Sequence, residues 1–388
     1  MQRPAAFTVA TGPSIVSDRV RAAQGLQSGY HDDPAFKATF RRLERAVAEV
    51  LRTRSDIVLM QGEAVLGLEA ALAATIRPGM TVINVASGPY GKGMGWWMAN
   101  MGATVVEVET GFREVPSVAM VADALRAHPE AELLSVVHVE TPCGTLAPIA
   151  EIGPLCHAAG VVSLVDAVAS TGGVDVRTDE WQLDIVVTAP EKALGGPTGL
   201  SLISVSEQAW ALVGRNPKPP RASFLSMLDW KTKWVDGDDF PYTPSIADVH
   251  GALAACEAFL EEGHDAVLAR HAATAAAARA GVRAMGLELW PRHEADMSPT
   301  VTAVALPAGL TDAQVVAHVR ERYGVQISGA DGAGDLVRLG HIGETARSLH
   351  PVVGLAALGQ GLRDLGVTLD LGAGLEAALA VLSANPNP

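Results

Sequence analysis

Two short apolar runs at the centre of the chain, VVSLV (Val161–Val165) and IVVT (Ile185–Thr188), each give way to polar or charged residues. Runs of this length, aliphatic or β-branched but for Ser163, read as strands buried on both faces. Asp166 closes the first run and Lys192 follows the second. Polar groups so placed lie at the carboxyl edge of a parallel α/β sheet, where such sheets put their ligands. Ile57–Met60, Thr81–Ala86, Thr104–Glu109 and Leu133–His138 are further strand-like runs upstream. Helix-length segments separate them: about Ala35 to Thr53, capped by the two acids before Pro34; Gly62–Ile76, a strand–turn–helix unit; and Ser117–Ala127. Alternation of this kind through about residue 205 predicts an α/β fold with a large, mostly parallel sheet and helices on both faces.

A chain of 388 residues is too long for one small core and predicts two domains. Residues 1–255 are the expected large domain, with the N-terminal segment, Asp166 and Lys192. An Ala-rich helix from Ile246 to about Glu262 leads into a smaller C-terminal α+β domain, residues 256–388, which carries Arg338. Within it, Val301–Leu306 reads as a strand and Gly374–Leu382 as an amphipathic helix. The aromatic, proline-rich stretches Ser223–Trp234 and Phe240–Ser245 read as a connection.

The net charge is -14 and no basic run occurs, which argues against nucleic acid and anionic membranes as partners. Cys143, Cys156 and Cys256 are scattered, lack metal-ligand spacing and read as reduced thiols, so no metal is expected. The opening MQRPAAFTVATGPS has no signal-peptide apolar core, and no apolar run is long enough for a bilayer. The expected location is the cytoplasm.

A carboxylate and an amine facing one edge can hold a protonated heterocycle and condense with a carbonyl. Those are two needs of pyridoxal chemistry, with Asp166 on the ring nitrogen and Lys192 forming a Schiff base with the aldehyde. Taken singly, Asp166 reads equally as a helix cap and Lys192 as a solvated loop lysine. Other candidates keep two readings as well. Glu63, at the start of a helix, either repels an anion bound there or sits favourably on the helix dipole. Tyr90, in the Gly-rich loop Ser87–Trp97, either stacks on a planar ring or packs on the surface. Arg338, on a strand beside glycines, either grips a carboxylate or closes a salt bridge. Thr141 and Thr145 bring hydroxyls to the same sheet edge, and Tyr30 is a loop tyrosine.

The order TGP, GxxxxGLEA, SGPYGKG, ETPxGT, DAVAS, a lysine loop, FPYTPS and RLGHIG resembles the class V aminotransferases of fold type I, which include the alanine–glyoxylate and serine–pyruvate enzymes. The runs GEAVLGLEA, ASGPYGKGMGWW, ASFLSMLDW, FPYTPS and RLGHIG are similar above all to the members that act on pyridoxamine and pyruvate. The resemblance covers nearly the whole chain. It implies that Lys192 is the Schiff-base lysine and moves the proton between substrate and vitamer carbons, and that Asp166 keeps the pyridine nitrogen protonated. It implies that Tyr90 stacks on the ring, that Thr141 lies near the 3-oxygen, and that Arg338 grips the substrate carboxylate. Tyr242 and Thr243 match a segment that reaches into a neighbouring subunit's site, which Tyr30 would also line, so a homodimer or homotetramer is implied.

Departures from the family pattern bear on phosphate. Phosphate-using relatives carry a small hydroxyl residue where this chain has Glu63, commonly another near Val65, and often Ser-Gln where it has Pro190 and Glu191. Two carboxylate-like charges about 4 Å apart repel by about 4 kcal/mol at an effective dielectric near 20. A neutral hydroxymethyl group would instead donate a hydrogen bond to Glu63. Unphosphorylated pyridoxamine and pyridoxal are therefore the expected substrates, with no tightly bound cofactor, and Glu191 joins the vitamer site. The expected reaction is pyridoxamine plus pyruvate giving pyridoxal plus L-alanine, in vitamin B6 breakdown. The alternative is a conventional pyridoxal-phosphate aminotransferase working between alanine or serine and glyoxylate or pyruvate. A pyridoxal carrier without turnover would need no carboxylate clamp. The loop Ser328–Val337 is one residue shorter than in the similar relatives and has no arginine, which leaves Arg338 alone for the carboxylate.

Overall fold

In the computed structural model, which describes residues 5–26 and 29–385, the apolar runs assemble into one seven-stranded sheet. Its strands in chain order are β1 (Asp56–Gln61), β2 (Thr81–Ala86), β3 (Thr104–Glu109), β4 (Leu133–Val137), β5 (Val162–Asp166), β6 (Ile185–Thr188) and β7 (Leu200–Val205). Across the sheet they lie β1-β7-β6-β5-β4-β2-β3. Neighbours from β6 to β3 pair in parallel, and β7 runs against both β6 and β1. Every residue of β4, β5, β6 and β7 is buried, as the lack of apolar–polar alternation in their sequences requires. Parallel neighbours need a crossover, usually a helix, and none lies between β6 and β7. The chain therefore returns antiparallel, and the turn that carries Lys192 lies in that return.

Helices fall where their signals stand. Asp33 accepts the Ala35 amide at 2.8 Å and starts the helix Pro34–Val50, which buries Phe36, Phe40, Leu43 and Val47. Two stretches differ from expectation. Ser87–Trp97 is not a loop, because Pro89 opens a helix that runs to Asn100. Two of its glycines, Gly91 and Gly95, serve close packing. A Cβ on Gly91 would lie 2.9 Å from the Ala86 Cα, and one on Gly95 would lie 2.2 Å from a Glu107 carboxylate oxygen. The stretch Ser223–Trp234 is no loose connection either. It forms a short helix, Met227–Trp230, that widens into a π-turn, Lys231–Val235, and buries Trp230 and Trp234. Trp234 stacks on Phe240 with ring centroids 4.1 Å apart, meets Phe40 edge-on, and donates its indole N–H to Glu44 at 2.6 Å.

A second apolar cluster lies under the antiparallel pair Val301–Ala305 and Leu336–Gly340. The helices His264–Ala284, Asp312–Tyr323, His350–Asp364 and Leu371–Ala384 contribute to it. The strand Phe7–Thr8 pairs with Val325–Gln326, and Val9 belongs to this second cluster. From there the chain crosses back, so that a Cβ on Gly12 would stand 2.3 Å from the Lys192 Nζ. Among the described residues, no helix is long and apolar enough to cross a membrane.

The helix Ile149–Ala159 covers the sheet beside the segment that leads into β6, and Gly153 makes that approach. A Cβ there would lie 1.9 Å from the Trp181 carbonyl oxygen, a backbone atom with little freedom to move. Gly153→Ala is expected to cost about 2 kcal/mol or more in urea unfolding, despite alanine's better helix propensity. An unchanged midpoint would mean that the helix stands further from the sheet.

Candidate active site

At the carboxyl edge of β4 and β5 lies a cavity of about 310 Å³. The start of the helix Ala64–Thr75 lines one side with Ala64, Val65 and Leu68, preceded by Glu63. The helix Pro89–Asn100 lines another with Tyr90, Gly93, Met94 and Trp97. Val139, Thr141, Asp166, Val168, Ala169 and Lys192 complete the wall. The fold thus brings together Glu63, Tyr90, Thr141, Asp166 and Lys192. The apolar lining, Leu68, Met94, Trp97 and Val168 above all, is invisible to motif reading, since such residues look like ordinary core.

Asp166 is the last residue of β5 and is buried. Burial raises its carboxyl to about 6, against the pull of the Val168 amide, which it accepts at 3.0 Å, and of the Lys192 ammonium. Glu63 adds to the rise as a neighbouring negative charge. Burial also lowers the Lys192 ammonium, while Glu191, Asp166 and Glu63 oppose the fall and Arg338 adds to it. A carboxylate that needs a cation and an amine inclined to give up its proton share one wall.

Glu63 holds the N-cap position of the helix Ala64–Thr75, yet its side chain makes no capping bond. Glu191, buried beside Lys192, supplies the nearest compensation. Burial raises its carboxyl to about 7, and the Ala64 amide in the first helical turn favours its ionised form. Its Oε2 is buried with no hydrogen-bond partner among the described residues. A protein carboxyl group thus lies close to the anion-binding end of this helix.

Glu140, which sequence reading passed over, does the same for the next helix. Fully buried, it accepts the amides of Tyr90 at 2.9 Å and Gly91 at 3.0 Å, and so fixes the turn that presents Tyr90. Burial raises it to about 7. A Cβ on Gly88 would lie 2.2 Å from the Glu140 Cγ, so the SGPYG glycine and the ETP glutamate form one unit. The available signal was a lone carboxylate inside an apolar run.

The remaining candidates lie off the cavity wall. Arg338 is buried in the strand Leu336–Gly340 and pairs with Asp331, but its charge reaches Lys192, Glu140 and Tyr90. Tyr242 accepts the Trp230 indole N–H at 3.0 Å, and Thr243 is exposed. Tyr30 is 66% exposed beside His31. No group of His, Cys, Asp and Glu suited to a metal occurs among the described residues.

The family model "Aminotransferase class-V" matches residues 19–347. The chain is 42% identical over 381 residues to a pyridoxamine–pyruvate transaminase of Mesorhizobium japonicum, covering 98% of this chain and 97% of that one. It is 31% identical to an L-aspartate–glyoxylate aminotransferase of Paracoccus denitrificans, over 95% of this chain and 93% of that one. The crystal structure of pyridoxamine–pyruvate aminotransferase from Mesorhizobium loti superposes with a TM-score of 0.95 at 42% identity, covering 99% and 98% of the two chains.

The Glu191 carboxyl carries a consequence for stability. Its folded value, about 7, lies above the ordinary 4.5, so between those pH values the folded protein holds a proton that the unfolded chain has lost. Its contribution to stability therefore falls as pH rises through that window. Glu191→Gln, which keeps an acceptor for the Ala64 amide, is expected to exceed the parent by about 2–3 kcal/mol at pH 8 and to match it near pH 4.5. Urea unfolding of the empty protein at several pH values measures the difference. A constant offset would mean that Glu191 does not titrate in this window.

Proposed function

We propose, since the chain belongs to the class V aminotransferases, that it transfers the amino group of pyridoxamine to pyruvate, giving pyridoxal and L-alanine. The observation that carries this reading is the pair of carboxylates, Glu63 and Glu191, at the helix start that faces the cavity. A phosphate dianion there would meet the Glu63 carboxylate and a second, buried carboxyl group, Glu191, which its charge would hold neutral at a cost. A neutral hydroxymethyl group can instead donate to Glu63, which lines the cavity. Pyridoxamine is then a substrate that enters and leaves, and no tightly held cofactor is required.

The roles follow from the wall. Its pyridine ring, once protonated, supplies an electron sink. Asp166, costly to ionise in the empty cavity, gains its missing cation when a pyridinium nitrogen arrives and holds the proton there. Lys192, its ammonium destabilised by burial, is the amine that meets the vitamer's carbonyl. It is also the base that moves a proton between the vitamer's 4′-carbon and the α-carbon of alanine. Tyr90 stacks on the ring and Thr141 meets its 3-oxygen. Arg338 takes the carboxylate of pyruvate or alanine.

We further infer a homo-oligomer, a dimer or a tetramer, in which Tyr30, Tyr242 and Thr243 line a neighbouring copy's site. Val65 and Tyr90, both exposed apolar or aromatic residues on the cavity wall, support that reading. The division into a large domain, residues 1–255, and a small one, residues 256–388, draws support from two separate apolar clusters, although Val9 joins the second and Phe259 and Val267 the first. A cytoplasmic location accords with three free thiols, and the acidic net charge disfavours nucleic acid.

The test is turnover by protein purified without added vitamer. Pyridoxamine with pyruvate is expected to give pyridoxal and L-alanine, and pyridoxamine 5′-phosphate to react at least roughly a hundredfold more slowly. Turnover only with the phosphate would make this a conventional pyridoxal-phosphate aminotransferase. Lys192→Ala is expected to lose roughly a thousandfold or more in kcat, and retained turnover would remove Lys192 from the reaction.

A further inference from the structure

The Arg338 guanidinium is committed in an uneven way. Its Nε donates to the Gly329 carbonyl at 2.5 Å, its Nη2 to the Asp331 carboxylate, and its Nη1 is buried with no partner among the described residues. A carboxylate binds a guanidinium best across two parallel N–H groups. With Nε held by the backbone, the Nη1–Nη2 edge is the one left for an incoming carboxylate, and Asp331 holds half of it.

Asp331 is built to let go. Arg338 is 2% exposed at its side chain, while Asp331 is 52% exposed. Asp331 stands at φ 49 in the loop that precedes the strand Leu336–Gly340, followed by Gly332 at φ 87 and Gly334 at φ 144. A released Asp331 side chain would pass into water at little cost. The buried guanidinium, by contrast, pays heavily for any state without a counter-ion. Both members of the pair act on the cavity: Asp331 raises the Tyr90 phenol and Arg338 lowers it.

We propose that Asp331 is a resident stand-in for the substrate's carboxylate. It neutralises Arg338 while the site is empty and must leave Nη2 before pyruvate or alanine can engage both N–H groups. Two carboxylates on one Nη1–Nη2 edge would repel, so displacement accompanies binding. Asp331 thereby weakens the apparent affinity for 2-oxo acids and amino acids in inverse proportion to the fraction of time it leaves the edge free. It is a residue that sets substrate affinity and takes no part in the proton transfers. The proposal rests on the reading of Arg338 as the carboxylate's partner.

The experiment is steady-state kinetics of the full-length Asp331→Asn and Asp331→Ala proteins, with pyruvate varied at saturating pyridoxamine and L-alanine varied at saturating pyridoxal. The KM values for pyruvate and alanine are expected to fall about tenfold, with the effect on KM rather than kcat. Inhibition by propionate, a carboxylate with no reactive carbonyl, is expected to strengthen in parallel. A KM for pyruvate that is unchanged or raised in both variants, with unfolding midpoints equal to the parent's, overturns the proposal. Arg338→Lys separates the two levels. A raised pyruvate KM in Arg338→Lys, without a fall in the Asp331 variants, sinks the stand-in alone. An unchanged pyruvate KM in Arg338→Lys removes the carboxylate from Arg338 and the stand-in with it.

Discussion

Desolvation at the carboxyl edge of the sheet governs the charged groups of this site. Asp166, Glu140 and Glu191 all rise toward neutrality when buried, and Lys192 falls. None is stable as an isolated charge, so each is tied to a backbone amide, to an opposite charge, or to a partner that only substrate brings. The cost of burial is thus turned to binding. A carboxyl raised to about 6 and an ammonium lowered by burial share one wall, each destabilised as a charge until something else enters.

Helix starts are the natural anion seats of an α/β fold. Two of them face this cavity: Glu140 fills the start of the helix Pro89–Asn100, and Glu191 is buried close to the start of the helix Ala64–Thr75. Asp331 repeats the device on a side-chain cation, Arg338. The difference lies in exposure. Glu191 and Glu140 are buried and permanent, whereas Asp331 is half in water and can be exchanged. One principle, a protein carboxylate placed where a ligand anion might sit, can therefore exclude one anion and regulate another.

The topology determines which groups can meet. β7 returns antiparallel beside β6, which puts the Lys192 turn next to the end of β5 and so next to Asp166. The N-terminal strand is added to the second cluster, and Gly12 then passes against Lys192 where no side chain would fit. Residues as far apart as 63, 90, 141, 166 and 192 share one wall because their segments all meet at the same sheet edge.

Much of this was legible in the chain. Buried strands declare themselves by nearly unbroken apolar runs, so β2 and β6 lie where the residues place them. Asp166 and Lys192 stood out because charge directly after such a run is expensive unless used. Local pattern misled where tertiary contact overrides it. The glycines of Ser87–Trp97 read as loop, but two of them, Gly91 and Gly95, let a helix approach β2 and β3. The tryptophans of Ser223–Trp234 read as connection, but they close a core against the helix Pro34–Val50. What the sequence by itself determined was the alternating fold and the chemical inventory, since both follow from residue type and short-range period. What only the tertiary structure decided was pairing: Glu140 with the Tyr90 turn, Glu191 with Ala64, and Arg338 with Asp331. Such pairings depend on distances between segments remote in the chain, and no local pattern of residues encodes them.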